Sequence, residues 1–242
     1  LRYVSASIRS QMQYRASFIM LSIGHFMATG AEFLALWALF DRFGALRGWS
    51  LAEIAFFYGV INTAFAISES LARSFDNFGD IIRSGEFDRI LLRPRSTALQ
   101  VAGREAQLMR IGRFFQGLVV LLWAAAALGV RWTAPRIALL VASVAGGACL
   151  FSGLFILQAT MAFWTTESLE IWNTVTYGGV ETAQYPISIY RPWFRTFFTF
   201  AVPLAAVTYY PALPILGRLD EFGSPVWFQW LAPLIGVSFL VV

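Results

Sequence analysis

The chain contains no lysine, so all 18 of its basic residues are arginines. A GxxxxGK[ST] phosphate loop depends on its lysine to reach the terminal phosphates, so this chain does not hydrolyse ATP alone. There is one cysteine, Cys149, and one histidine, His25, each inside an apolar stretch. That excludes a disulfide framework and a Cys/His metal site within one chain. GxSxG, HExxH and DFG-type motifs are missing, and no acid, base and nucleophile converge on one loop. No catalytic residue is therefore assigned. Charge is scarce too: 13% of the 242 residues, about half the share of an ordinary soluble domain.

Apolar and aromatic side chains fill the gap, at 58% and 17% of the chain, with mean hydropathy +0.63. That surface needs lipid as its solvent, and several stretches reach the roughly 20 apolar residues required for a span. The expectation is an all-α membrane protein with about six transmembrane helices, forming a single domain over residues 1–242. Residues 1–15 put Leu1, Val4, Ile8 and Met12 at helical spacing among Arg2, Arg9 and Arg15, the pattern of an interfacial helix. Spans are expected at 18–40, 51–71, 114–130 and 137–164, the second opened by a Ser50/Glu53 capping box. The small residues Ser143, Gly146, Gly147 and Gly153 would let neighbouring backbones come close in the fourth. A last span begins near Pro225. Leu1 is not a methionine and Val242 interrupts an apolar run, so both ends read as trimmed, and no signal peptide is read from the first residues.

Residues 168–183 have helical length but carry Glu170, Asn173, Thr174 and Glu181, so this helix cannot face lipid all round. Broken backbone rich in proline and aromatics follows over 184–224, and at membrane depth it must be covered by protein or water. Either 168–183 or 193–216 makes the fifth crossing; the first is preferred, with its wet face toward a partner.

Arginine counting sets the orientation. The amino-terminal segment and the 73–113 loop are arginine-rich, and the turns at 41–48 and 131–136 are not, so the former are expected in the cytoplasm. This topology accounts for the pI near 9.6 and leaves nucleic-acid binding without independent support.

Within the loop, residues 84–94 read SGEFDRILLRP. Phe87, Ile90 and Leu91 share one helical face, while Glu86, Asp88 and Arg89 are polar. This is either a short amphipathic helix on the membrane surface or an arginine anchor that only fixes topology. His25, Thr29 and Glu32 share a face of the first span. They offer either a proton or substrate path or interhelical hydrogen bonding, with Asn62 of the second span at hand as a partner. Glu69, near the cytoplasmic end, would simply reach water.

The order of these features resembles the permease subunits of type-2 ABC exporters. Residues 84–94 look like the coupling-helix region, QYPISIYRPWF at 184–194 resembles the signature after the fifth helix, and VPLAAVTYYPALPIL at 202–216 resembles the stretch that follows it. The tyrosine-proline variant resembles the branch often built from two related permeases. The resemblance implies a cytoplasmic coupling helix, an outer re-entrant segment over 184–224, and a multi-pass protein of a bacterial inner membrane with a cytoplasmic amino terminus. It further implies a second permease, identical or related, and a separate ABC ATPase that carries ATP and magnesium, with no cofactor on this chain. Glu86 to Leu91 would then couple to the ATPase, with Phe87 and Leu91 in its cleft. His25, Thr29, Glu32, Asn62, Glu170, Asn173 and Glu181 would line the path of a small or amphipathic cargo. The alternatives are a proton-coupled secondary transporter using His25 and Glu32, and a membrane-embedded lipid-modifying enzyme.

Overall fold

The computed structural model describes residues 15–104, 110–165 and 169–241. The interfacial helix expected at 1–15 lies outside them, save Arg15. Among the described residues every regular element is helical. In order these are α1 (Arg15–Phe43), α2 (Leu51–Asp76), the loop helices α3 (Phe78–Arg83), α4 (Glu86–Leu91) and α5 (Thr97–Ala102), α6 (Ile111–Ala127), α7 (Ala134–Met161) and α8 (Leu169–Ala183). A 3-10 turn, Ile187–Ile189, leads to α9 (Pro192–Thr196), a π turn at Phe197–Ala201, α10 (Leu204–Val207), α11 (Tyr209–Leu216), α12 (Val226–Leu231) and α13 (Pro233–Val241).

The capping box forms as its sequence requires: the Ser50 hydroxyl accepts from the Glu53 amide, and the Glu53 carboxylate accepts from the Ser50 amide at 2.9 Å. It starts a 26-residue helix, about 39 Å long and so longer than the roughly 30 Å hydrocarbon layer. α2 is the central post. It is buried on nearly every side from Glu53 to Phe75, with α6 and α7 as its main neighbours and α1, α5, α8 and α11 also against it. Phe65 at its middle meets Phe151 edge-on at 4.9 Å and Tyr177 at 5.6 Å.

Small residues set the closest approaches, as expected for the fourth span. A Cβ placed on Gly146 of α7 would collide with the Pro233 carbonyl, and one on Gly236 of α13 with the Gly146 carbonyl. Ser143 donates to the Val207 carbonyl at 2.5 Å. The two glycines seat α7 and α13 backbone to backbone, and the Ser143 bond ties α7 to α10.

α1, α2 with its α3 extension, and α7 are long and apolar enough to cross a membrane. The pair 192–201 and 204–216, bent by 72°, is either a fourth, broken span or a re-entrant loop. α6 is a shorter apolar helix of 17 residues, and α8 has 15. α1 is the least covered element: Ile19, Met20, Ile23, Met27, Leu34 and Trp37 are all exposed.

Candidate coupling loop and buried charged network

The segment from α3 to α5 hangs on two roots, the end of α2 and the start of α6. Gly85, at φ 71°, adopts the left-handed turn that lets α4 double back after α3. On α4, Phe87 faces the protein, with ring centroids 5.2 Å from Phe78 and 5.3 Å from Phe163, and Ile90 is buried beside it. Leu91 is exposed, as are Asp88 and Arg89. Phe87 and Leu91 were expected to present one apolar face. The two separate because Phe87 is drawn into a three-ring cluster at the ends of α2 and α7, whereas Leu91, one turn on, has passed its edge. Glu86 pairs with Arg104. Glu86, Arg89, Ile90, Arg93, Gln100 and Arg104 line a cavity of about 240 Å³ between α4 and α5.

Between the two roots lies a buried charged network that the sequence concealed. Glu69 does not reach water: its side chain is 1% exposed, and guanidinium nitrogens of Arg73, Arg110 and Arg113 each stand 3.6 Å from its oxygens. Arg73 also pairs with Asp76 at 2.7 Å and contacts the Tyr177 hydroxyl. That hydroxyl donates to Asp76 at 3.4 Å, and Gln158 donates to the same carboxylate at 2.8 Å. Arg113 donates to Asn62 at 2.9 Å and lies over the Phe65 ring at 4.7 Å. Side chains of α2, α6, α7 and α8 thus meet in one network. Low dielectric strengthens such contacts and makes the loss of any partner expensive.

The residues suggested for a path divide among three places. His25 does not meet Asn62; its Nδ1 is 3.5 Å from Arg110, because Asn62 is already held by Arg113 and donates to the Tyr58 carbonyl at 2.9 Å. Thr29 is buried, its hydroxyl bonded back to the His25 carbonyl and its own carbonyl accepting from the Tyr58 hydroxyl at 2.7 Å. Glu32 on α1 and Glu181 on α8 are both exposed, yet they act electrostatically on each other and on Tyr58. Asn173 is exposed on α8, while Thr176, Val180 and Thr182 turn inward. The side chain of Glu170 lies outside the described residues.

A third polar assembly closes the opposite end of the bundle. Arg218 donates to both oxygens of Glu53, at 2.5 and 2.9 Å, and to the Gly48 carbonyl at 2.7 Å, while lying 4.3 Å over the Trp49 ring. The Trp49 indole N–H donates to the Ser188 hydroxyl at 3.3 Å. In the adjoining turn, burial pushes the Asp220 carboxyl up, but bonds from Ser224, the Phe222 backbone and the Tyr209 hydroxyl outweigh it and hold the group below the usual aspartate range. These contacts fasten the broken 184–224 segment to the start of α2. Nothing local announced them, since Trp49 and Arg218 are far apart in the chain.

The family model described as ABC-2 family transporter protein matches residues 26–242 of this helical frame. The chain belongs to the ABC-2 transporter family. The ABC-2 match runs from α1 through the charged network to α13, so the whole described bundle except the start of α1 is that of a type-2 ABC permease. No curated protein and no solved structure matches it. A permease of this family is in general the transport component of the membrane and works with an ABC ATPase.

Proposed function

We propose that this ABC-2 permease is the membrane half of an ATP-driven exporter for a small or amphipathic cargo. It pairs with a second permease, identical or related, and with a separate ATPase that binds ATP and magnesium. The observation that carries the reading is the buried network. It joins both roots of the α3–α5 loop, through Arg73 and Asp76 on one side and Arg110 and Arg113 on the other, to α7 and α8. A push on the loop reaches α2, α6, α7 and α8 through contacts that cannot stretch without leaving a charge unpaired, which suits a bistable rather than a graded response.

The loop lies in the cytoplasm on the arginine argument, and the amino terminus lies on the same side. Six crossings account for the bundle: α1, α2, α6 and α7, a fifth made by α8 with its polar side against the partner permease, and a last made by α12 and α13. The bent 192–216 pair is then the outer re-entrant segment, pinned by Trp49 and Arg218. The exposed apolar face of α1 and the exposed Asn173 and Glu181 of α8 offer the surface on which a second permease and the cargo meet.

On α4 the side that meets the ATPase is the one carrying Asp88 and Leu91, because Phe87 is committed to the chain's own ring cluster. Replacing Leu91 and Asp88 together by alanine tests this. Membrane insertion and the melting temperature should remain as in the parent, while ATPase association and ATP-dependent export fall. A stably inserted Leu91→Ala, Asp88→Ala protein that recruits its ATPase and exports at the parent rate defeats the reading and returns the loop to a topology anchor.

A further inference from the structure

The cavity between α4 and α5 has a composition that docking on the Asp88/Leu91 side does not use. Three guanidinium groups, Arg89, Arg93 and Arg104, surround it, against one carboxylate, Glu86, which is already paired with Arg104. Arg89 and Arg93 are exposed and make no ion pair among the described residues. At 3.6 residues per turn, Glu86, Arg89, Ile90 and Arg93 share one side of α4, and Asp88 and Leu91 lie on the other. Ile90 supplies an apolar floor.

The height of this cavity in the bundle is fixed by aromatic contacts. Phe87 of α4 packs on Phe78, two residues past the end of α2, and on Phe163, two residues past the end of α7; those two rings are themselves 5.4 Å apart. Both helices outrun the hydrocarbon layer, so α4 sits where the spans leave it, at the level of lipid headgroups. Leu92 and Leu99, the residues that follow α4 and lie on α5, are 85% and 74% exposed. An arginine-rich cavity beside exposed leucines at that depth matches a phospholipid, phosphate to the arginines and acyl chain to the leucines.

We propose that the α4–α5 cavity binds the phosphodiester headgroup of an anionic phospholipid of the bilayer, seating the loop on the membrane surface. This holds whether or not an ATPase docks on the far side of α4. It gives Arg89 and Arg93 a role separate from that of Asp88 and Leu91: the lipid holds one face of the loop in place while the other remains open.

The test is native mass spectrometry of the purified full chain in detergent, titrated with phosphatidylglycerol and, separately, with phosphatidylcholine. Phosphatidylglycerol should bind the parent more tightly. Arg89→Gln with Arg93→Gln should weaken that binding by roughly thirtyfold, from about 1 kcal/mol for each basic group at the membrane surface, and leave phosphatidylcholine unchanged. Arg89→Lys with Arg93→Lys should retain most of the preference, and Leu91→Ala all of it. Both arginines are exposed, so the glutamine variant should melt as the parent does. Phosphatidylglycerol bound equally well by the glutamine variant overturns the proposal. So does displacement of the lipid by millimolar inorganic phosphate, which marks a free-anion site. A glutamine variant that keeps its lipid but loses a copurifying ATPase assigns the arginines to a protein partner, and also overturns it.

Discussion

Glu69→Gln keeps the shape of the side chain and removes its charge, and the structure sets what that should cost. Glu69 is the carboxylate that Arg73, Arg110 and Arg113 share, at 3.6 Å each and 1% exposure. Arg73 retains Asp76 at 2.7 Å, and Arg113 retains Asn62 and the Phe65 ring. Arg110 loses the carboxylate that all three share. Removing one member of a buried ionic set typically costs 3–5 kcal/mol. The surviving contacts place this variant at the lower end, about 3 kcal/mol. For a chain of this length that is a fall of roughly 6–12 °C in melting temperature, measurable by thermal denaturation in detergent followed by size-exclusion chromatography. Because Arg110 and Glu69 are in direct contact, Arg110→Gln should cost less in the Glu69→Gln background than in the parent, by about 0.5–3 kcal/mol. A Glu69→Gln protein that melts with the parent, or a double variant that is simply the sum of its parts, would show that the cluster is solvated and refute the reasoning.

Arg218→Ala should destabilise the broken 184–224 segment by roughly 2 kcal/mol through its lost charge-assisted bonds, and Arg218→Lys should not rescue it, because a single ammonium cannot hold both Glu53 oxygens and the Trp49 ring; limited proteolysis of that segment reads the effect. Gly146→Leu drives a side chain against the Pro233 carbonyl, and since backbone cannot yield cheaply, a loss of about 1–3 kcal/mol or more is expected in the same melting assay. Asp220 has its folded pKa below the ordinary value, so its contribution to stability is complete above about pH 3.9 and disappears as pH falls through the lower folded value. Asp220→Asn should therefore flatten the acid limb of the melting-temperature profile below pH 4 and lower the plateau above it. For topology, in a chain whose Cys149 is replaced by serine, an impermeant thiol reagent should label Ala134→Cys from outside intact cells and Ser84→Cys only after lysis; the reverse pattern inverts the orientation.

Local rules carried the reading of the sequence far, and their limits are physical. The Ser50/Glu53 box, the presence of α1, α2 and α7, though not most of their ends, and the close approach at Gly146 were legible because each depends on residues near in sequence or on one helical face. Glu69 was misjudged as water-exposed because its position suggested a helix end, while two of the arginines that bury it, Arg110 and Arg113, come from the far root of a long loop. His25 and Asn62 lie on neighbouring helices, but the Asn62 carbonyl accepts from Arg113, a charged donor that comes from the far root of the loop. Phe87 and Leu91 share a helix face by arithmetic; which of them the protein keeps depends on Phe78 and Phe163, and the second of these arrives from the end of α7. The Trp49–Arg218 clasp had no local signal at all.

An ABC-2 permease driven by a separate ATPase should bring that ATPase out of the membrane with it. The direct measurement is to purify the tagged chain from its host membranes in mild detergent and assay the preparation for a bound subunit and for magnesium-dependent ATP hydrolysis. The account predicts a stoichiometric ATPase bearing a phosphate-binding loop, with hydrolysis that is lost when Leu91 and Asp88 are replaced. A chain that purifies without any ATPase, and whose transport in reconstituted vesicles follows an imposed proton gradient with no need for ATP, would contradict it.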